Sequence, residues 1–136
     1  MLKRLNLLTK KQEALLLSIL ATLPYSMWGL FINWDYGPMV ASRVAVLQAV
    51  MSFTITLFMT RLLQGLYGLS THRIGRFLLA WWGTVVIINT TAFTIHTIAG
   101  TPERLLTMAP GMVAGFIYCL SYTTRMAADK NFDEKN

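Results

Sequence analysis

The chain has 136 residues, of which 54% are hydrophobic and 13% are charged, and its mean hydropathy is +0.49. About one-quarter of a typical soluble domain is charged, so this composition excludes an ordinary soluble fold and indicates a single membrane domain. The net charge is +6, but the basic residues flank apolar runs instead of alternating with aromatics. Anionic lipid head groups, and not nucleic acid, are therefore the expected charged partners.

Four apolar segments predict an all-α integral membrane protein with four transmembrane helices. They cover about residues 13–33, 40–64, 77–100 and 105–125. Each has the ~20 residues that a helix needs to cross a hydrocarbon core ~30 Å thick. Helices are required because lipid offers backbone groups no hydrogen-bond partner. We expect a single four-helix domain over residues 1–126, followed by a short polar cytoplasmic tail over residues 127–136.

The first segment begins at Thr9-Lys10-Lys11-Gln12, which fits a capping box. A cleavable signal peptide is the competing interpretation of residues 1–27, because a basic start precedes the apolar run. Bulky Leu23 and Tyr25 stand where a cleavage site needs small residues, and the apolar stretch continues to Phe31. These residues favour a retained first helix.

Turn signals divide the four helices into two hairpins. Gly37-Pro38 breaks the chain between the first two helices. Thr101-Pro102-Glu103 has the order of an N-cap, a first-turn proline and an acid favoured by the helix dipole, so it opens the fourth helix. The polar and basic stretch Gly65–Arg76 is expected to connect the two hairpins.

The placement of lysine and arginine predicts the orientation in the membrane. Ten basic residues fall at the termini or around the central connector: Lys3, Arg4, Lys10, Lys11, Arg61, Arg73, Arg76, Arg125, Lys130 and Lys135. Only Arg43 and Arg104 fall on the other side. We therefore expect both termini to lie in the cytoplasm. The membrane itself is expected to be a bacterial cytoplasmic (inner) membrane.

The two hairpins resemble a repeat. A shift of 64 residues places Pro38 on Pro102 and Thr60-Arg61 on Thr124-Arg125. A true duplication would be a parallel repeat, with its axis along the membrane normal. The alternative is that any two helical hairpins share prolines in turns and arginines at cytoplasmic ends.

Polar residues within the second and third segments are the candidate intramembrane site. Gln48 and Ser52 share one helical face, and Asn89 lies near the middle of the third segment. His96 lies four residues before Gly100, about 6 Å from the outer helix end, so we expect its imidazole to reach interfacial water. Such residues either line a substrate or proton pathway or hold helices together.

Two further features are candidates for binding. Gly111 and Gly115 have the G-x-x-x-G spacing that lets another helix approach closely, within the bundle or between copies. Arg43 lies near the outer end of the second segment, shortly after Asp35. It could pair with Asp35, extend to the interface, or attract anions to an outer vestibule.

Signatures of catalysis are missing from the sequence. It has no Gly-rich phosphate loop, HExxH or CxxC motif, and Cys119 is its only cysteine. We therefore expect no enzyme activity, no cofactor and no metal site.

The closing residues of the hairpins, Phe58-Met59-Thr60-Arg61 and Ser121-Tyr122-Thr123-Thr124-Arg125, carry a family resemblance. From the first helix through Arg125, the chain resembles the GtrA-like family of small four-span membrane proteins. It also looks like an uncharacterised bacterial family of duplicated two-span units, which implies no known activity.

The GtrA-like resemblance implies translocation of a lipid-linked or small amphipathic substrate. The alternative is a non-transporting accessory or assembly subunit of a larger membrane complex. For transport we expect a homo-oligomer or a membrane-protein partner, because four short helices enclose little volume. An accessory subunit would dock on a larger membrane complex.

Overall fold

The computed structural model describes residues 9–129, apart from the side chains of Lys10, Ala14 and Leu17, and all regular structure in that range is helical. Its four long helices are α1 (Lys10–Ile32), α2 (Pro38–Tyr67), α3 (Arg73–Ile98) and α4 (Arg104–Ala128). Each is long and apolar enough to cross a membrane, which confirms the predicted set of four such helices.

Two short elements complete the description. A 3₁₀ turn at Trp34–Tyr36 follows α1, and a π-helical turn at Leu79–Gly83 interrupts α3. The predicted basic residues Lys3 and Arg4, and the tail from residue 130 onward, lie outside the described residues.

The connector between α2 and α3 is shorter than predicted. Because α2 continues to Tyr67 and α3 begins at Arg73, residues 68–72 link them in place of Gly65–Arg76. Leu63 and Tyr67 are both buried, and burial of this face stabilises the helix past Gly65. The boundary predicted at Gly65 is therefore wrong.

Arg76 closes this connector. Its Nε donates to the Ser70 carbonyl at 2.7 Å, and its guanidinium lies 5.7 Å from the centre of the Tyr67 ring. One basic side chain thus links the last turn of α2 to the first turns of α3.

The chain divides into two compact units. The described residues up to Phe58, with Thr101–Glu103, form unit 1. Met59–Gly100 and the described residues from Arg104 onward form unit 2. Whether these two units form the single four-helix domain expected over residues 1–126 stays a prediction.

The start of α1 in unit 1 follows its local sequence. The Gln12 backbone N–H donates to Thr9 Oγ1 at 3.4 Å, and the Thr9 backbone N–H donates to Gln12 Oε1 at 2.9 Å. These reciprocal bonds are the predicted capping box.

Helices α1 and α2 meet closely at Gly29. A Cβ at this position would lie 3.4 Å from the Cβ of Gln48, which is van der Waals contact, so the two helices leave little room beyond a Cβ there. Nearby, Ser26 Oγ donates to the Ala45 carbonyl at 3.0 Å. A close approach and an inter-helix hydrogen bond thus both contribute to holding these two helices together in unit 1.

Asn33, which is fully buried, ties three parts of unit 1 together. Its Nδ2 donates to the Gly29 carbonyl at 2.9 Å, and its Oδ1 accepts the backbone N–H of Glu103 at 3.2 Å. Because α4 begins at Arg104, the N-cap predicted at Thr101 lies too early in the sequence. The backbone N–H of Glu103, just before the helix, is instead bound by the side chain of Asn33.

Unit 2 contains the hydrophobic core cluster, which is formed by Leu63, Tyr67, Ala80, Cys119 and Met126. The Cys119 thiol lies 3.7 Å from the Met59 sulfur, so the single cysteine is a buried packing residue, as its apolar context predicts.

Replacing Asn33 tests whether it joins these parts. We expect Asn33→Leu to lower the free energy of unfolding by about 1–3 kcal/mol, because two hydrogen bonds are lost and the Glu103 amide is left without its acceptor. Denaturant unfolding in detergent, followed by circular dichroism, measures the change.

The matched control is Trp34→Leu at the neighbouring exposed position, which should leave the unfolding free energy nearly unchanged. Equal losses for the two variants would contradict the role assigned to Asn33.

Candidate functional site

Gln48 and Ser52 lie together on the buried face of α2 in unit 1. Their side chains are only 6% and 8% exposed. Ser52 Oγ donates to the Gln48 carbonyl at 2.7 Å, within its own helix. The shared face predicted from their spacing is thus present, and the serine hydroxyl is satisfied locally.

Asn89 and His96 lie on α3 in unit 2. Asn89 is half-buried, and its Nδ2 donates to the Val85 carbonyl, one turn earlier, at 2.8 Å. The His96 side chain has 0% exposure, so the expectation that its imidazole reaches interfacial water is not met. Phe93 lies between them on the same face, and its side chain is exposed. The Arg104 guanidinium lies 5.5 Å from the centre of the Phe93 ring. This face is therefore not a continuous buried polar path.

Several threonine hydroxyls donate a hydrogen bond to the backbone carbonyl four residues earlier on their own helix, as threonines in apolar helices commonly do. Donor–acceptor distances are 2.7–2.8 Å for Thr22, Thr54, Thr94, Thr97 and Thr124. These hydroxyls need no substrate to be satisfied.

Arg43 is exposed at the start of α2. In residues 9–129, no ion pair joins it to Asp35, which is also exposed. The vestibule prediction thus rests on one guanidinium at the helix end. The other cation predicted on this side, Arg104, donates to Thr97 Oγ1 at 3.1 Å.

A hydrogen bond in unit 1 joins Tyr36 to Glu103. The phenol donates to Glu103 Oε1 at 2.6 Å. This bond, followed by Coulomb repulsion between a phenolate and the carboxylate, raises the pKa of Tyr36 above its ordinary value of 10.0. Sequence reasoning did not pair Tyr36 with an acid, because the two residues lie 67 positions apart.

A polar and aromatic ladder joins α2 and α4 in unit 2. The hydroxyls of Thr60 and Tyr118 are 2.8 Å apart, and Gln64 Nε2 donates to the Tyr122 hydroxyl at 2.8 Å. The two tyrosine rings stack with centroids 5.9 Å apart. Sequence reasoning missed this ladder. Within α2, Thr60 and Gln64 are four residues apart, and so are Tyr118 and Tyr122 within α4, a spacing that places side chains on one face of a helix.

The space in front of Gly111 and Gly115 is open. A Cβ at either glycine would meet no atom of residues 9–129 within 4 Å, so the described part of the chain does not make the close packing predicted from their spacing. With spacings of four, three and four residues, Gly111, Gly115, Tyr118 and Tyr122 follow one side of α4. We call these four residues the α4 stripe.

The α4 stripe is amphipathic along its length. Its glycine half offers open space beside an apolar helix, and its tyrosine half presents hydroxyls held by Thr60 and Gln64. The whole stripe is about 16 Å long at 1.5 Å per residue. Such a surface suits a molecule with an apolar chain and a polar head.

Metal-ligating residue types were searched for clusters in the described residues. In the part of the chain that the structure describes, no group of three His, Cys, Asp or Glu residues could hold a metal ion. Comparison with family models, curated proteins and solved structures finds no match to the chain.

Replacing Ser52 and Ser26 by alanine compares a hydroxyl that bonds its own helix with one that bonds a neighbouring helix. We expect Ser26→Ala to cost about 0.6 kcal/mol, because it removes a hydrogen bond between two helices. Ser52→Ala should cost less, since its hydroxyl bonds its own helix. Denaturant unfolding in detergent gives both values, and a larger loss for Ser52 would show that its hydroxyl has a further partner.

Tyr36 provides a pH-dependent test. Because the folded pKa is raised, the contribution to stability is complete below pH 10 and is lost as the pH rises through the folded pKa. Ultraviolet difference spectra between the wild type and Tyr36→Phe isolate this phenol. We expect Glu103→Ala to lower its titration midpoint, and an unchanged midpoint would contradict the pairing.

Proposed function

We propose that this chain is a multi-pass protein of a bacterial cytoplasmic membrane, with both termini in the cytoplasm. Four helices of sufficient length and apolarity support insertion. The orientation is supported by ten lysines and arginines at the termini and central connector, against Arg43 and Arg104 elsewhere. Anionic lipid head groups are the expected partners of the basic ends.

In that membrane, the proposed function is to bind and translocate a lipid-linked or small amphipathic substrate. The observation that carries this proposal is the α4 stripe, where open space at Gly111 and Gly115 continues into the hydroxyls of Tyr118 and Tyr122. The apolar chain of the substrate would lie along the glycines, and its polar head would exchange hydrogen bonds with the tyrosines.

The charges near the stripe favour an anionic or polar head. Arg61 follows Thr60 on α2, and Arg125 lies one turn beyond Tyr122 on α4. In the proposed orientation this end faces the cytoplasm, so the head of a membrane amphiphile would lie at the same level as the tyrosines. The ladder itself would fix the position of the phenol hydroxyls before the substrate binds.

A test of the stripe is to fill its open space. We expect Gly115→Leu to reduce the amphiphile that remains bound after gentle purification, as measured by native mass spectrometry. Val113→Leu is the matched control, because it adds apolar bulk to an exposed position away from the stripe. Equal retention of amphiphile by the two variants and the wild type would contradict the proposed site.

A non-transporting accessory or assembly subunit is the second candidate, and the same glycines favour it. The G-x-x-x-G spacing lets an identical helix of a second copy occupy the open space. In that case Gly111→Leu would convert an oligomer to a monomer without changing lipid retention.

Substitutions of the polar candidates separate the two functions further. If Gln48→Leu or Asn89→Leu abolishes the activity of the protein in cells while its oligomer or complex still assembles, the transport function is favoured. If either variant abolishes assembly, the subunit role is favoured.

A further inference from the structure

Two sulfur atoms from different helices meet in unit 2. Cys119 lies on α4 and Met59 on α2, 60 residues apart in sequence, and the thiol donates to the thioether sulfur at 3.7 Å. The Cys119 side chain is only 1% exposed, whereas Met59 is partly buried and packs against the core cluster. The pair therefore lies at the border of that cluster, with the thiol on its enclosed side.

A hydroxyl without a partner distinguishes this pair from ordinary packing of sulfur atoms. Thr123 follows Cys119 by four residues, so the two side chains are neighbours on one face of α4. The Thr123 side chain has 0% exposure, and within residues 9–129 its hydroxyl has no hydrogen-bond partner. Burial of an unpaired hydroxyl is costly, so a group that would bond it is missing beside Cys119.

The two sulfurs have the chemistry and the spacing to share one metal ion. Thiolate and thioether sulfurs are soft ligands, which select Cu(I) over hard cations. At a metal–sulfur distance of about 2.3 Å, the length of a zinc–thiolate bond, one ion can bond two sulfurs that lie up to about 4.6 Å apart. The 3.7 Å between Cys119 Sγ and Met59 Sδ falls within this limit. The ion would take the place of the thiol proton that the two sulfurs now share.

Charge balance selects a monovalent ion. Cu(I) that displaces the thiol proton of Cys119 leaves thiolate and ion with no net charge, as the thiol had before. Zn²⁺ at the same place would leave one positive charge, and an unpaired charge is costly in an apolar core. In the part of the chain that the structure describes, no group of three His, Cys, Asp or Glu residues could hold such a divalent ion instead.

We propose that Cys119 and Met59 form a binding site for a soft monovalent metal ion, Cu(I). On binding, the thiol releases its proton to the solvent, the thiolate and the thioether become the ligands, and no electron is transferred. The Cys119 sulfur thereby changes from a donor to an acceptor, so the Thr123 hydroxyl gains a partner. Hydrogen bonds from neighbouring groups to metal ligands are a general feature of metal sites.

This site is independent of the proposed translocation. Neither Cys119 nor Met59 belongs to the α4 stripe, and the site requires neither a lipid nor a second copy of the chain. The absence of a second cysteine led to the expectation of no metal site, but a methionine 60 residues away supplies the second sulfur.

The experiment measures Cu(I) binding by the purified full-length protein in detergent, without oxygen. Bicinchoninate forms a coloured complex with Cu(I) and competes with the protein for the ion, so the loss of colour gives both stoichiometry and affinity. For the wild type we expect one tightly bound Cu(I) per chain. A parallel competition between the protein and a coloured zinc chelator should show weaker binding of Zn²⁺.

Single substitutions identify the ligands. Cys119→Ala removes the thiolate, and Met59→Leu removes the thioether at nearly constant volume. We expect each to weaken Cu(I) binding by at least ~10-fold, the lower limit for loss of a group that only supports a ligand. Thr123→Val should weaken binding less than either. Met108→Leu is the matched control and should keep the wild-type affinity, because Met108 is also buried on α4 but lies 11 residues, or about 16 Å, before Cys119.

Absence of Cu(I) binding by the wild type would overturn the proposal, as would a wild-type affinity in Cys119→Ala or Met59→Leu. Equal losses in Met59→Leu and Met108→Leu would also overturn it, and this comparison stays decisive if Cys119→Ala does not fold. Tighter binding of Zn²⁺ than of Cu(I) would contradict the charge argument. Failure of the proposed translocation would leave these affinities unchanged.

Discussion

The structure depends on one constraint: polar groups within long apolar helices must find their partners inside the protein. Several hydroxyls meet it on their own helix, as Ser52 does with the Gln48 carbonyl. Such bonds do not link one helix to another. Bonds that cross between helices, such as Ser26 to the Ala45 carbonyl in unit 1, therefore help to fix the packing.

The same constraint gives meaning to the exceptions. The α4 stripe joins a gap at Gly115 to hydroxyls at Tyr118, so one helix face changes from apolar space to polar contact over less than one turn. Within residues 9–129, the indole N–H of Trp81 is a donor with no acceptor. An unpaired buried donor is unfavourable, because it has lost its contact with water without gaining a partner.

Sequence reasoning predicted what local pattern determines. Segment length and apolarity gave the four helices, and Thr9 with Gln12 gave the capping box. It could not predict contacts between residues that are distant in sequence. Asn33 and Glu103 are 70 residues apart, and the type of neither residue indicates that the other is its partner. Gly65 was mistaken for a helix end because glycine weakens a helix locally, whereas burial of its neighbours continued it. The exposure of His96 likewise depended on packing that distance from the helix end does not reveal.

The π-helical turn Leu79–Gly83 also determines how α3 can change during evolution. A π turn holds one residue more than an α turn, so deleting one residue there would leave two well-formed α segments in one continuous helix. The segment after the deletion would keep its orientation relative to the segment before it, because the chain would still complete one turn there. Thr84 and His96, both buried at present, would then stay on the same side of the helix. Deleting one residue elsewhere in α3 would instead rotate all the following residues by about 100°, so the π turn is the place where α3 can lose a residue without changing its inner face.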